Sequence, residues 1–324
     1  MKKFYWLLLA ALLVATGASP AEAVEYPNSG DALQFSAATD AIIVPSSSQL
    51  PVEVSYAGDL SDSWTSNSSE FSASMPDASL TATQESKGSA QFKIRILNSE
   101  APSEYPFLFT QNGEILQPQL NRFGAVDLLD QEGNYVAFVL TPWAKSNDGQ
   151  TVPTEFKVEG RTLIQVVSFK SLTSITYPIE ADPYLGIDLI SSVYANLNTS
   201  GTAYNLKIAV TPWAGVLYVM YPTAFANFSW PYVLSGGTYG VYLMQTYGWP
   251  EVLSKLEARY SSQFRGYVFS KPTFKNQYDC HALGAPLIFA STIAGFYGSP
   301  TWDLEGHRYS TSDLGVWVSS RCNW

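Results

Sequence analysis

The 324-residue chain holds 28 acidic and 18 basic side chains, a net charge of −10 with both histidines neutral. An acidic surface repels nucleic acid and anionic lipid, so neither is an expected partner. The length allows one large or two ordinary domains, each with a core of its own.

Lys2 and Lys3 precede the apolar run Phe4 to Val14, and Ala21-Glu22-Ala23 fits a small-x-small cleavage site. The run is shorter than the about 20 residues a bilayer span needs. Together these features read as a secretory signal peptide over residues 1–23, leaving a mature chain from Val24. There is no cysteine near the site for a lipid anchor. No later stretch is long and apolar enough for a membrane helix. The expected protein is therefore secreted, with no membrane span after cleavage.

Charge is unevenly spread. Residues 24–183 carry 20 acids and 8 bases, whereas residues 184–324 carry 7 acids and 8 bases. Such asymmetry points to two units with different surfaces. The expected division is a Ser/Ala-rich segment over 24–100, a small β domain over 101–183, and an α+β domain over 184–324. In the first segment, "SDSWTSNSSEFSASMPDASLTATQESKGS" offers few buried-type residues and reads partly as loop or linker. Short strands are expected at Val52 to Tyr56 and in "QFKIRIL", where Phe92, Ile94 and Ile96 alternate with polar neighbours.

Further along, "NYVAFVL", "TEFKVEG" and "RTLIQVVSF" read as strands, with hairpin turns at Glu132-Gly133-Asn134 and Asp148-Gly149. "IDLISSVYANL" and "AYNLKIAV" are strand-like around the turn "NTSG". Residues 204–249 carry twelve aromatics among recurring Pro and Gly, which disfavours long helices there. "WPEVLSKLEARY" predicts a helix from Pro250 to about Ser261, with Val252, Leu253, Leu256 and Tyr260 on one face. "APLIFASTIAGFYG" suits a second, buried helix. The fold class is α+β, a β-rich N-terminal part followed by an α+β C-terminal domain.

The tetrapeptide TPWA occurs at 141–144 and again at 211–214, each time after a strand-like run. Proline removes a ladder donor and ends the strand; the tryptophan is expected to fold back over the sheet edge.

Two cysteines in an exported chain most simply form one disulfide, here Cys280 to Cys322. The rival use is a reactive Cys280 with His281 as base. Sequence neighbours lie on opposite strand faces, or about 100° apart on a helix, so they are poorly placed as nucleophile and base. "WDLEGHRYS" spaces Asp303, Glu305 and His307 two apart, and on a strand they would share one face. With His281 they form a candidate catalytic or metal-binding set. The usual close helical His pair is missing, and no metal or other cofactor is expected. Among the aromatics, Trp213, Trp230, Trp249 and Trp302 are candidates for stacking on sugar rings; the competing reading places them in the core.

The C-terminal elements "YGWPEVLSKLEARY", "NQYDCHALGA", "PTWDLEGHRYS" and "SSRCNW" resemble a domain of unknown function found in secreted actinobacterial proteins. Trp249, Gln277, Tyr278, Cys280, His281, Trp302, Leu304, Glu305, Cys322 and Asn323 carry the likeness. It extends over about 140 residues from near Ile187. His307-Arg308-Tyr309 departs from the pattern, so no role passes to His307. The middle segment, from "TPWAKSNDGQTVP" to "YPIEADP", is similar to a region of exported actinobacterial proteins. The resemblance implies a secreted two-part protein, supports the disulfide and carries no established activity.

The leading expectation is a non-enzymatic extracellular or cell-envelope binding protein. Its expected partner is a cell-wall glycan or another envelope protein. The alternatives are a secreted hydrolase using His281 and Glu305, with Asp303, and a secreted antagonistic factor.

Overall fold

Alternation of small apolar and polar residues drives the first half of the chain into strands, which pair into two antiparallel sheets around a shared core. The computed structural model describes residues 32–46, 50–67, 70–86, 88–211, 239–292, 301–320 and 322. The expected signal peptide, Trp230, and Pro212, Trp213 and Ala214 of the second TPWA copy lie outside them.

The strands in the early part are β1 (Gln34–Ser36), β2 (Ala41–Val44), β3 (Val52–Tyr56), β4 (Thr65–Asn67), β5 (Glu70–Met75), β6 (Ala78–Ser86) and β7 (Ser89–Ile96). Next come β8 (Glu104–Gln111), β9 (Glu114–Ile115), β10 (Gln117–Leu120), β11 (Val126–Leu129), β12 (Tyr135–Val139) and β13 (Trp143–Ser146). Then follow β14 (Thr154–Glu159), β15 (Thr162–Val167), β16 (Ile179–Asp182) and β17 (Tyr184–Gly186).

One sheet has the order β1-β2-β3-β8-β15-β14, with β9 beside β8. The other runs β10-β11-β12-β17-β7-β6-β5-β4, with β16 also on β7 and β13 on β16. The first hundred residues and those beyond them therefore interleave: β3 pairs β8, and β7 pairs both β16 and β17. Val52, Val54, Phe107 and Phe109 of one sheet meet Leu80, Phe92, Ile94 and Ile96 of the other in one buried cluster.

The described part of the Ser/Ala-rich segment is mostly strand. In β5 and β6 the inward positions are Ala73, Met75, Ala78, Leu80 and Ala82. Alanine carries little hydrophobic signal, yet it fits a tightly packed sheet interior. The expected turns form with Gly133 (φ +83°) and Gly149 (φ +85°) in the left-handed region that glycine adopts freely.

The C-terminal part begins with β18 (Ile190–Leu197) and β19 (Tyr204–Val210), joined through the NTSG turn, and later adds β20 (Thr301–Glu305) in the order β18-β19-β20. Helix α1 (Tyr239–Leu243) passes through a wide turn at Met244–Gly248 into α2 (Trp249–Arg259). Then come α3 (Ser262–Phe269), α4 (Pro272–Thr292) and α5 (Leu314–Ser320). The chain is thus largely helical over 239–292 despite its aromatics, and α3 has no counterpart among the expected elements. Helix α2 buries Val252, Leu253 and Leu256 as its spacing predicts. Tyr260 does not share that face: it caps the helix end, 41% exposed, and its hydroxyl accepts from the Ala195 amide at 2.8 Å. No described helix is long and apolar enough to cross a membrane.

The two parts meet through a common apolar cluster that joins Phe138, Leu140 and Tyr184 to Val241, Met244, Trp249 and Val252. Gly186 lies opposite Phe138 in the ladder, and a methyl group there would strike the Phe138 ring. Gly186→Ala is expected to destabilise the protein by about 1–3 kcal/mol, since overpacking forces a buried ring off its rotamer. A urea titration checks it; an unchanged midpoint would show that the ring moves freely.

Candidate functional site

An open cleft of about 680 Å³ lies on the outer face of the larger sheet. Its lining comes from two stretches that the sequence marks, TPWAKSNDG and YPIEADP. Thr141, Pro142, Trp143 and Lys145 come from the first, and Pro178 and Glu180 from the second. These stretches are neighbours in the sheet: β13 pairs β16 with Trp143 opposite Asp182 and Lys145 opposite Glu180. Residues two apart on a strand share a face, so Trp143 and Lys145 point out together while Ala144 is buried.

The strand β12 ends at Val139, ahead of Pro142, as the missing amide requires. Trp143 does not fold back over the sheet edge as expected. It opens β13 and remains half-buried, with the Lys145 ammonium 6.0 Å from its ring. The turn after β13 is held by the Gly149 amide donating to the Ser146 carbonyl at 2.9 Å. The Asp148 carboxyl accepts from the Ser146 hydroxyl, from the Gln150 amide and from the Thr176 hydroxyl, which keeps it below the usual carboxylate range. Gln91 from β7 completes one wall and donates to Asp182 at 2.7 Å. Lys93 approaches Glu180 at 3.8 Å, with both side chains well exposed. The result is an aromatic surface ringed by hydrogen-bonding and charged groups on rigid strands.

The candidates named from sequence fall elsewhere. Trp249 and Trp302 are 6% and 7% exposed and belong to the C-terminal core, so they do not face a ligand. Tyr278 packs against both, with ring centroids at 5.2 and 5.3 Å, and its hydroxyl donates to the Met244 carbonyl at 2.9 Å.

Cys280 and Cys322 form a disulfide, closing a 42-residue separation. Both sulfurs are buried with Trp317. Cys280 is thereby removed as a nucleophile. On helix α4 its neighbour His281 points elsewhere and stacks on Trp302 at 5.6 Å.

Asp303 and Glu305 do share a face of β20, as their spacing predicts, but it is the outer one, because Trp302 and Leu304 point into the core. Asp303 stands opposite Lys207, and the Glu305 carboxylate pairs with Arg308. Gln277 receives the Glu305 amide at 2.9 Å and donates to its carbonyl at 3.0 Å. The strand stops at Glu305, so His307 sits exposed in the turn. His281 stacks on Trp302 and meets the Asp303 backbone, whereas the Asp303 and Glu305 side chains take the other face of β20, so the three side chains do not share one face. Among the described residues no three His, Cys, Asp or Glu side chains gather in a metal-holding group.

Two buried titratable groups have opposite effects. The Glu251 carboxylate accepts from the Leu189 and Ile190 amides at 2.9 and 3.3 Å and pairs with Lys255 at 3.4 Å. Burial raises it to about 7, opposed by Lys255 and assisted by Asp188. Burial lowers His281 to about 4, opposed by its hydrogen bond to the Asp303 backbone and the Asp303 charge.

From pH 4.5 to about 7 the folded chain holds a Glu251 proton that the unfolded chain releases, so this contribution to stability falls as pH rises. From about pH 4 to 6.5 the unfolded chain binds a His281 proton that the folded chain lacks, so that contribution rises. The slopes oppose each other. Urea midpoints of Glu251→Gln should climb across the window and those of His281→Gln should fall relative to wild type. Parallel profiles for all three proteins would contradict both assignments.

Comparison with known proteins finds no matching family model, no matching curated protein and no matching solved structure.

Proposed function

We propose that the chain is a secreted, non-enzymatic binding protein of the extracellular space or cell envelope, and that the Trp143 cleft holds a cell-wall glycan. The observation that carries this reading is the half-buried Trp143 lining an open cleft edged by Gln91, Lys145, Asn147 and Glu180. A sugar ring offers an apolar face to an aromatic ring and hydroxyls to the polar rim, so a binding site for it needs both kinds of group. The cleft volume falls in the range of small-ligand sites. A leader of signal-peptide pattern and a disulfide suited to an oxidising compartment support the location.

Co-sedimentation of the full chain with isolated bacterial cell walls tests it. Retention of wild type and release of Trp143→Ala is the expected result. No retention, or equal retention of the two proteins, would overturn the proposal.

A further inference from the structure

We infer that the Trp143 cleft is one end of a longer track, on which a linear polysaccharide bearing carboxylate groups lies across the strands; this rests on the glycan reading above. Residues paired directly across a ladder share a face. From Lys145 the register leads through Glu180 and Arg95 to Ser79 and Ser74. A parallel row leads from Lys93 through Thr81 and Ser72 to Thr65. Trp143 stands at its near end, two residues before Lys145. Five neighbouring strands, β13, β16, β7, β6 and β5, cover about 20 Å at the usual strand spacing. That distance exceeds one sugar ring and suits an extended chain, and the rows offer it hydroxyl partners along its length.

Charge selects the kind of chain. Residues 24–183 hold eight Lys and Arg against 20 acids. Three of those eight, Lys93, Arg95 and Lys145, stand on this face around Glu180. Asp182 is 3% exposed and receives Gln91, and Glu70 lies at the far corner, opposite Thr83. A half that is acidic overall therefore concentrates cations at this cleft. The planar Arg95 guanidinium suits a carboxylate, and the two ammonium groups add positive charge beside it.

The experiment is affinity electrophoresis and titration of the full chain with polygalacturonate, a galacturonate disaccharide and an uncharged dextran of polymer length. The comparison variants are Trp143→Ala and the surface triple Lys93→Gln, Arg95→Gln, Lys145→Gln, with circular dichroism confirming the fold of each. Polygalacturonate is expected to bind at least about tenfold more tightly than dextran, with the preference fading as salt screens the charges. The triple variant should lose about tenfold in affinity for polygalacturonate. Equal binding of polygalacturonate and dextran, unchanged in the triple variant, would overturn the charge selection and leave the glycan reading intact. Disaccharide binding as tight as the polymer would overturn the extended track. Failure of all three probes to bind, with cell walls also not retained, would remove both readings.

Discussion

Trp143→Ala is expected to weaken glycan binding by at least about tenfold while leaving the fold unchanged. Full burial of a large apolar side chain against a ligand is worth about 1.5–3 kcal/mol, and each 1.4 kcal/mol is a factor of ten. The ring is half-buried before any ligand arrives, so part of that area is already spent on the protein, and the lower end of the range applies. Its neighbours do not depend on it for structure: Ala144 and Ser146 face inward and keep the β13–β16 ladder in place. Trp143→Phe keeps a smaller aromatic surface and should bind with intermediate affinity. If Ala and Phe variants bound as wild type does, the cleft would have no part in recognition. Thermal unfolding of the Ala variant near the wild-type temperature separates lost contact from lost structure.

Removing the disulfide is the larger effect on stability. Cys280→Ser with Cys322→Ser opens a loop of 42 residues. Chain-entropy estimates for a loop of that size give about 4 kcal/mol, with measured bridges commonly delivering about 2–4. In a unit of this size that corresponds to a fall in Tm of about 5–15 °C. The short helix α5 should respond first. Besides the bridge it is held by Trp317, whose indole donates to the Thr311 carbonyl at 2.9 Å, and by the Cys322 amide bonding the Trp317 carbonyl at 3.1 Å. Hydrogen exchange resolved by peptide should show α5 losing protection while β3 and β8 keep theirs. A variant with unchanged Tm and unchanged exchange in α5 would mean that packing of Trp317 alone secures this end.

Much of the strand content was legible because burial on one face writes a period of two into the sequence. Val52 to Tyr56 forms β3 at the expected limits, and "QFKIRIL" lies almost wholly within β7. Strands β5 and β6 lie in a stretch that reads partly as loop or linker, because their inward positions are largely alanine and most outward ones are Ser and Thr, residues that also fill loops. The cysteines were legible for a different reason: two of them leave one intramolecular pairing.

The candidate site was harder to see. The signals were present as a repeated TPWA and as YPIEADP, separated by some thirty residues. Nothing in either stretch says that β13 pairs with β16, and that pairing alone sets Lys145 against Glu180 and opens the cleft beside Trp143. Trp249 and Trp302 left two readings open, core or ligand-facing. An aromatic suits a core as well as a sugar, and only packing against Tyr278 decides between them.

The sequence by itself determined the alternation of strands, the place of helix α2, the cysteine pairing and the excess of acid in the first half. These follow from local periodicity, composition or the number of available partners. Only the tertiary structure decided which strands became neighbours and which aromatics were buried. It also set His281 against Trp302, on the face of β20 opposite the Glu305 side chain, and gathered three cations on one acidic half. Those outcomes depend on contacts between residues far apart in the chain, and local propensity does not encode them.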